Sequence, residues 1–143
     1  MFTLSDAIAL ATAAHDGQVD KSGRPYIGHP LRVMAAVTGE HAQMTAVLHD
    51  VIEDTSVTVS DLRAHGCPAV VVDAVVALTH LPAEPQEDYL RRVAADPLAL
   101  IVKRADINDN LSPARMARLD AATQERLQAK YATAVRLLDN FVR

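Results

Sequence analysis

The sequence predicts an all-α fold, and three observations carry that prediction. Half of the residues are apolar but only 3% are aromatic, so the core has to be built from Ala, Val, Leu and Ile, and abundant Ala favours helix. Apolar residues recur at helical spacing, most clearly Leu127, Tyr131, Val135 and Leu138. Pro and Gly stand between such segments, where they interrupt regular structure. At 143 residues, a single domain spanning 1–143 is long enough to close one core without disulfides or an oligomeric partner.

In chain order, Leu4–Ala14 suits an opening helix with Ile8, Leu10 and Ala11 near its centre and Thr3 or Ser5 as cap. Gly17 to Gly28, with Lys21-Ser22-Gly23-Arg24-Pro25-Tyr26 inside it, reads as a loop. Pro30 fits a first helical position, where its missing N–H costs least, so a second helix is expected over 30–38 with His29 at its mouth. A third is expected over 42–52, leading into Glu53-Asp54-Thr55, and a short one from Ser60 to about Gly66. The Val-rich stretch 68–78 fits strand or helix by periodicity, and its length of about three turns decides for helix. Pro82 and Pro85 precede a helix over 86–95. Asp96-Pro97 starts another that carries Lys103 to Asn110 and breaks at Ser112-Pro113. The last helix is expected over 123–141, packed across the bundle.

Composition also excludes functions. A net charge of -4 with no basic stripe argues against a nucleic-acid-binding surface, so the expected partner is a small molecule. No apolar run reaches the length of a membrane span. The lone Cys67 and the absence of a basic-then-apolar leader set the expectation of a cytoplasmic location. The sequence leaves the number of subunits open, a homodimer included.

The chemistry concentrates in Leu48-His49-Asp50-Val51-Ile52-Glu53-Asp54-Thr55, where polar residues interrupt an apolar helical pattern. Three acids near a helix C-terminus face an unfavourable macrodipole, and burying them is costly without a partner. Two readings are open: a bound cation, or a solvent-facing helix end with Asp54 as a turn cap. On a continuous helix, His49 and Glu53, four apart, and Asp50 and Glu53, three apart, share a face. A second polar cluster, Val102 to Asn110, places Asp106 and Asn110 on one face. With His29 from Pro25-Tyr26-Ile27-Gly28-His29-Pro30, the chain offers two imidazoles and two carboxylates from three elements, which is a metal-site inventory. His41, His65 and His80 read as surface residues, His15 as either structural or substrate-facing, Asp109 as a polar neighbour of the site, and Arg91 and Arg92 as a solvated helix face.

These pieces resemble a known family, the HD-domain hydrolases, and specifically the hydrolase half of RelA/SpoT enzymes and the stand-alone small alarmone hydrolases. The resemblance is carried by Ala14-His15-Asp16-Gly17-Gln18, Lys21 with the Pro25–Pro30 segment, His49 to Thr55, and Val102-Lys103-Arg104-Ala105-Asp106 followed by Asn110. It implies a single-domain helical bundle of the HD superfamily. It also implies that His29, His49, Asp50 and Asp106 bind a divalent metal, usually manganese, and that Glu53 and Asp54 activate water. Lys21, Asn110 and Arg126 match positions that hold the nucleotide. The implied reaction is hydrolysis of the 3′-pyrophosphate of guanosine tetraphosphate-type alarmones to GDP or GTP and pyrophosphate. One departure stands out: Asp20 occupies the place before the loop Lys where the family commonly has an Arg beside the purine. Alternatives are therefore an HD phosphohydrolase acting on another nucleotide, such as an adenine alarmone or a nucleoside monophosphate, or a nucleotide sensor without turnover.

Overall fold

The computed structural model describes residues 1–143 as ten helices, with one isolated antiparallel bridge between Val19 and Pro25 and no strands. The helices are α1 (Leu4–Ala14), α2 (Gly28–Ala35), α3 (Glu40–Leu48), α4 (Val51–Asp54), α5 (Val59–Ala64), α6 (Ala69–Ala77), α7 (Gln86–Ala94), α8 (Pro97–Asn110), α9 (Pro113–Met116) and α10 (Ala121–Phe141). The all-α prediction agrees with this architecture.

Local chemistry explains most of the starts. Thr3 caps α1 by accepting from the Asp6 N–H while the Asp6 carboxylate accepts from the Thr3 N–H, and Thr58 and Asp61 do the same for α5. Asp96 caps α8, with Pro97 at its first position, and Asp120 caps α10. Gly39 precedes α3 with φ 103, a left-handed backbone that a side chain would strain.

Two expectations need correction. The second helix begins at Gly28, so Pro30 lies inside its first turn, and it ends at Ala35. Its first four N–H groups have no partner within the helix in any case, so Pro30 costs nothing there. The third helix does not run through to Ile52. It stops at Leu48, the chain turns at His49 and Asp50, and α4 restarts at Val51. At the break His49 Nδ1 donates to the Ala46 carbonyl at 2.6 Å, a local competitor to helical continuation.

Packing is organised around α3, in which every residue from Met44 to Leu48 is buried together with Ala42. One side of α3 joins a core with Val33, Leu90, Val93, Val102, Ile107 and Leu138, drawn from α2, α7, α8 and α10. Its other side, through Met44, Val47 and Leu48, joins a core with Ala7, Ala11, Val51, Leu62, Val71 and Val75 from α1, α4, α5 and α6. Each fully buried Leu or Val in these layers contributes about 1.5–3 kcal/mol of transfer free energy. α10 packs on α7, with Leu127, Ala134 and Leu138 buried on its inner face. The consequence for function is that α3 enters from the middle of the molecule and delivers His49 and Asp50 at its end, opposite α2 and α8.

Candidate metal centre and its cavity

His29 stands in the first turn of α2, His49 and Asp50 in the break after α3, and Asp106 in the third turn of α8. His29, His49 and Asp106 are buried, with 3%, 2% and 6% exposure. A ligand atom from each of His29, His49 and Asp50 lies within 4.8 Å of the other two. Asp106 Oδ1 approaches both rings, 2.7 Å from His29 Nε2 and 3.5 Å from His49 Nε2. The structure thus brings together all four of the residues that the sequence pointed to as ligands.

The environment of these groups suits a cation. His49 Nε2 is buried and lies 3.1 Å from Asp50 Oδ2, yet its angles give it no hydrogen-bond partner. A buried polar atom without a partner is costly, and a metal ion would satisfy it. Burial opposes charge on both imidazoles, but the adjacent carboxylates prevail: Asp50 and Asp106 hold His49 well above its usual range, and Asp106 and Asp109 raise His29. Burial likewise works against an ionised Asp50, and the charge on His49 overcomes it, bringing Asp50 down to about 2. The carboxylates therefore demand positive charge at one point. A divalent ion held by the same nitrogen and oxygen donors would supply that charge and displace the imidazole protons.

The acid pair sits next to these donors in a way the continuous-helix expectation missed. The helix breaks at His49 and Asp50, and Glu53 does not group with His49. Instead Asp50, Glu53 and Asp54 form a second group whose carboxylate oxygens lie within 4.8 Å of one another, so Asp50 belongs to both clusters. Glu53 Oε1 accepts from the His80 backbone N–H at 2.7 Å. Asp54 is pushed up to about 6 by partial burial and by the charges of Asp50 and Glu53. Tyr26 donates its hydroxyl to Asp50 Oδ2.

All of these groups line one cavity of about 380 Å³. Four cations also line it: Lys21 from the loop, Lys103 from α8, Arg115 from α9 and Lys130 from α10. Lys103 Nζ lies 3.1 Å from Asp106 Oδ2; burial opposes its charge, and Asp106 more than compensates, raising its pKa. Lys130 is shifted the other way, by burial and by the nearby charges of Lys103 and Lys21. An apolar wall of Leu78, Leu119, Leu127 and Ala134, with Tyr89 and Tyr131, completes it.

Of the expected substrate residues, Lys21 and Asn110 line the cavity, and Asn110 Nδ2 donates to Asp106 Oδ1 at 3.3 Å. Arg126 does not reach it: the side chain is exposed on α10, and Lys130, one turn further on, is the α10 cation in the wall. Asp109 is a polar neighbour as read, 2.7 Å from His29 Nδ1. His80 differs from its surface reading; it is half-buried, lines the cavity and stacks on Tyr89 with centroids 4.5 Å apart. His15 is buried, pairing Nδ1 with Gln18 at 2.9 Å while its Nε2 has no partner. Arg91 is exposed as expected, whereas Arg92 is tied to Glu84 and to the carbonyls at the end of α6. Sequence reasoning assigned no role to Arg115, Lys130 or Tyr26. Of these, only Tyr26, inside the Pro25–Pro30 segment, carried a local signal.

Comparison with known proteins places this architecture. No family model matches the chain. It is 35% identical over 116 residues to guanosine-3′,5′-bis(diphosphate) 3′-pyrophosphohydrolase of Haemophilus influenzae, a match covering 71% of this chain and 17% of that protein. It is 34% identical over 122 residues to the protein of that name from Vibrio cholerae, covering 76% and 17% respectively. The chain therefore spans 17% of the length of these curated relatives. Among solved structures, a metazoan ortholog of SpoT, described as hydrolysing ppGpp, superposes with a TM-score of 0.77 at 27% identity, covering 96% of this chain and 84% of that one.

Proposed function

From the premise that the chain belongs to the RelA/SpoT-type HD-domain family, we propose that it hydrolyses the 3′-pyrophosphate of guanosine alarmones, releasing pyrophosphate and leaving GDP or GTP. The observation that carries this reading is that one cavity is lined by the candidate metal donors, the acid pair and four cations. His29, His49, Asp50 and Asp106 would hold a divalent ion, manganese in this proposal, supplying a Lewis acid that lowers the pKa of a water and polarises a phosphoryl oxygen.

The chain's own residues supply the rest. Glu53 and Asp54 flank the donors, and the Asp54 carboxylate, within 4.8 Å of an Asp50 oxygen, is placed to accept a proton from the attacking water. Glu53, fixed by the His80 N–H at 2.7 Å, orients that water. Lys21, Lys103, Lys130 and Arg115 neutralise the phosphate oxygens as charge develops on the leaving pyrophosphate. Asn110, on the face of α8 next to Asp106, offers its amide to the sugar or phosphate. The Leu and Tyr wall provides an apolar surface for a purine. The partner is thus a small nucleotide, matched to a cavity of about 380 Å³ rather than to a polymer groove.

A second reading has a specific observation in its favour. Asp20 lines the cavity, and its Oδ1 accepts from the Ser22 N–H, the Ser22 hydroxyl and the Arg24 N–H. This carboxylate folds the loop that carries Lys21, and it puts negative charge where a purine-stacking cation would otherwise stand. An adenine alarmone or another nucleotide is the alternative substrate. The test is a panel of ppGpp, ppApp and nucleoside monophosphates incubated with pure protein and Mn²⁺. Pyrophosphate release from ppGpp supports the first reading, and cleavage confined to another member of the panel replaces it with the second. Binding without cleavage anywhere in the panel would indicate a sensor.

A further inference from the structure

The ring of His29 is engaged at both nitrogens. Nε2 faces Asp106 Oδ1 at 2.7 Å, on the side of the metal donors, while Nδ1, on the opposite edge, lies 2.7 Å from Asp109 Oδ2. Asp109 is itself held from two directions. Arg32 Nε donates to its Oδ1 at 2.9 Å and Arg32 Nη2 to its Oδ2 at 3.3 Å. Arg115 Nη1 donates to Oδ2 at 3.1 Å and to Asn110 Oδ1 at 2.6 Å. That nitrogen also approaches His29 Nδ1 to 3.1 Å, a close contact of two donors tolerated because the Oδ2 charge lies against both.

We propose that Asp109 is a positioning residue for the metal site, fixing His29 with its proton on Nδ1 and its Nε2 lone pair aimed at the point shared by His49, Asp50 and Asp106. This rests on the reading of those residues as the metal donors. Asp109 is not a further ligand, because both of its oxygens are occupied by Arg32, Arg115 and His29 on the far edge of the ring. A carboxylate accepting from the remote N–H of a ligating imidazole sets the tautomer, holds the ring plane and strengthens the other nitrogen as a donor. The two arginines hold the Asp109 carboxylate from two directions and prevent its rotation, so that α2, α8 and α9 together define the direction of one lone pair. Arg115 then serves two places at once, the cavity wall and the support behind His29.

The test uses the full chain, stripped with chelator and titrated with Mn²⁺ by calorimetry. Asp109→Ala is expected to weaken Mn²⁺ binding by about 10- to 100-fold, the usual cost of losing such a partner. Asp109→Asn, which keeps an oxygen able to accept from Nδ1–H, is expected to recover most of that loss. Imidazole nitrogen NMR of the zinc-loaded protein supplies a readout that general destabilisation would not move: His29 should keep its Nδ1 proton in the wild type and lose that single tautomer in Asp109→Ala. Affinity of Asp109→Ala within about twofold of wild type, with the His29 resonances unchanged, would overturn the proposal. His29→Ala separates a failure of the metal cradle from a failure of Asp109 alone. Wild-type affinity in that variant would remove the metal cradle and this proposal with it, whereas lost affinity there beside intact affinity in Asp109→Ala would remove Asp109 alone.

Discussion

Replacing Lys103 with Met isolates the electrostatics that hold the site together before any metal binds. The Lys103 and Asp106 side chains are only 15% and 9% exposed, with Nζ 3.1 Å from Oδ2, and the ammonium also lies 5.3 Å from the Tyr89 ring centroid. Removing one member of a buried pair costs about 3–5 kcal/mol, because the other charge is left without compensation. Met preserves the stem packing, and Asp106 keeps His29 at 2.7 Å and Asn110 at 3.3 Å, which places the expected loss near the lower end, about 3 kcal/mol. For a chain of 143 residues, an unfolding entropy of about 2.1 cal/mol/K per residue gives roughly 0.3 kcal/mol per degree, so the thermal midpoint should fall by about 10 °C. The assay is thermal unfolding of chelator-stripped protein, with Asp106→Asn and the double variant completing a cycle. Once Asp106 is neutral, losing Lys103 should cost much less, so the two effects should be strongly non-additive. A drop under about 2 °C, or simple additivity in the cycle, would refute the claim that buried carboxylate demand organises this site.

Other perturbations probe separate parts of the molecule. Asp54→Asn should lower pyrophosphate release from ppGpp by about 10²- to 10⁴-fold while leaving Mn²⁺ affinity near wild type, read by steady-state kinetics beside calorimetry. Ala83 is a non-glycine residue with φ 62, so Ala83→Gly should relieve strain and raise the melting midpoint by a few degrees, the glycine entropy offsetting part of a gain of about 1–2 kcal/mol. The Arg92 guanidinium holds Glu84 down at about 2, against an ordinary value of 4.5. A lowered carboxylate pKa stabilises the fold above the unfolded value and loses that contribution as pH falls through the folded one. The stability difference between wild type and Glu84→Gln should therefore be steady above pH 4.5 and vanish towards pH 2, measured by denaturant unfolding across that window.

Much of the helical layout was legible because its signals are local. Asp96-Pro97 and Thr3 announce helix starts by side-chain chemistry that needs no partner elsewhere, and the α10 stripe follows from spacing alone. The break at His49 and Asp50 was hidden for the opposite reason. Val51 and Ile52 continue the apolar pattern, and only the burial of His49 against α2 and α8, with its Nδ1 on the Ala46 carbonyl, makes the turn preferable. The candidate metal donors could be listed from residue type and family resemblance, but their convergence depends on three elements as far apart in sequence as His29 and Asp106. Arg115 and Lys130 were invisible as cavity residues, since an exposed-face cation and a cavity cation look alike in sequence. Arg126 illustrates the converse, matching a family position yet exposed and outside the cavity lining, one turn before Lys130.

The most direct test is anomalous diffraction at the manganese edge from crystals grown with Mn²⁺. A single strong peak is expected within bonding distance of His29 Nε2, His49 Nε2, Asp50 and Asp106. Density for the four side chains without a peak between them, or a peak bound elsewhere on the chain, would contradict it.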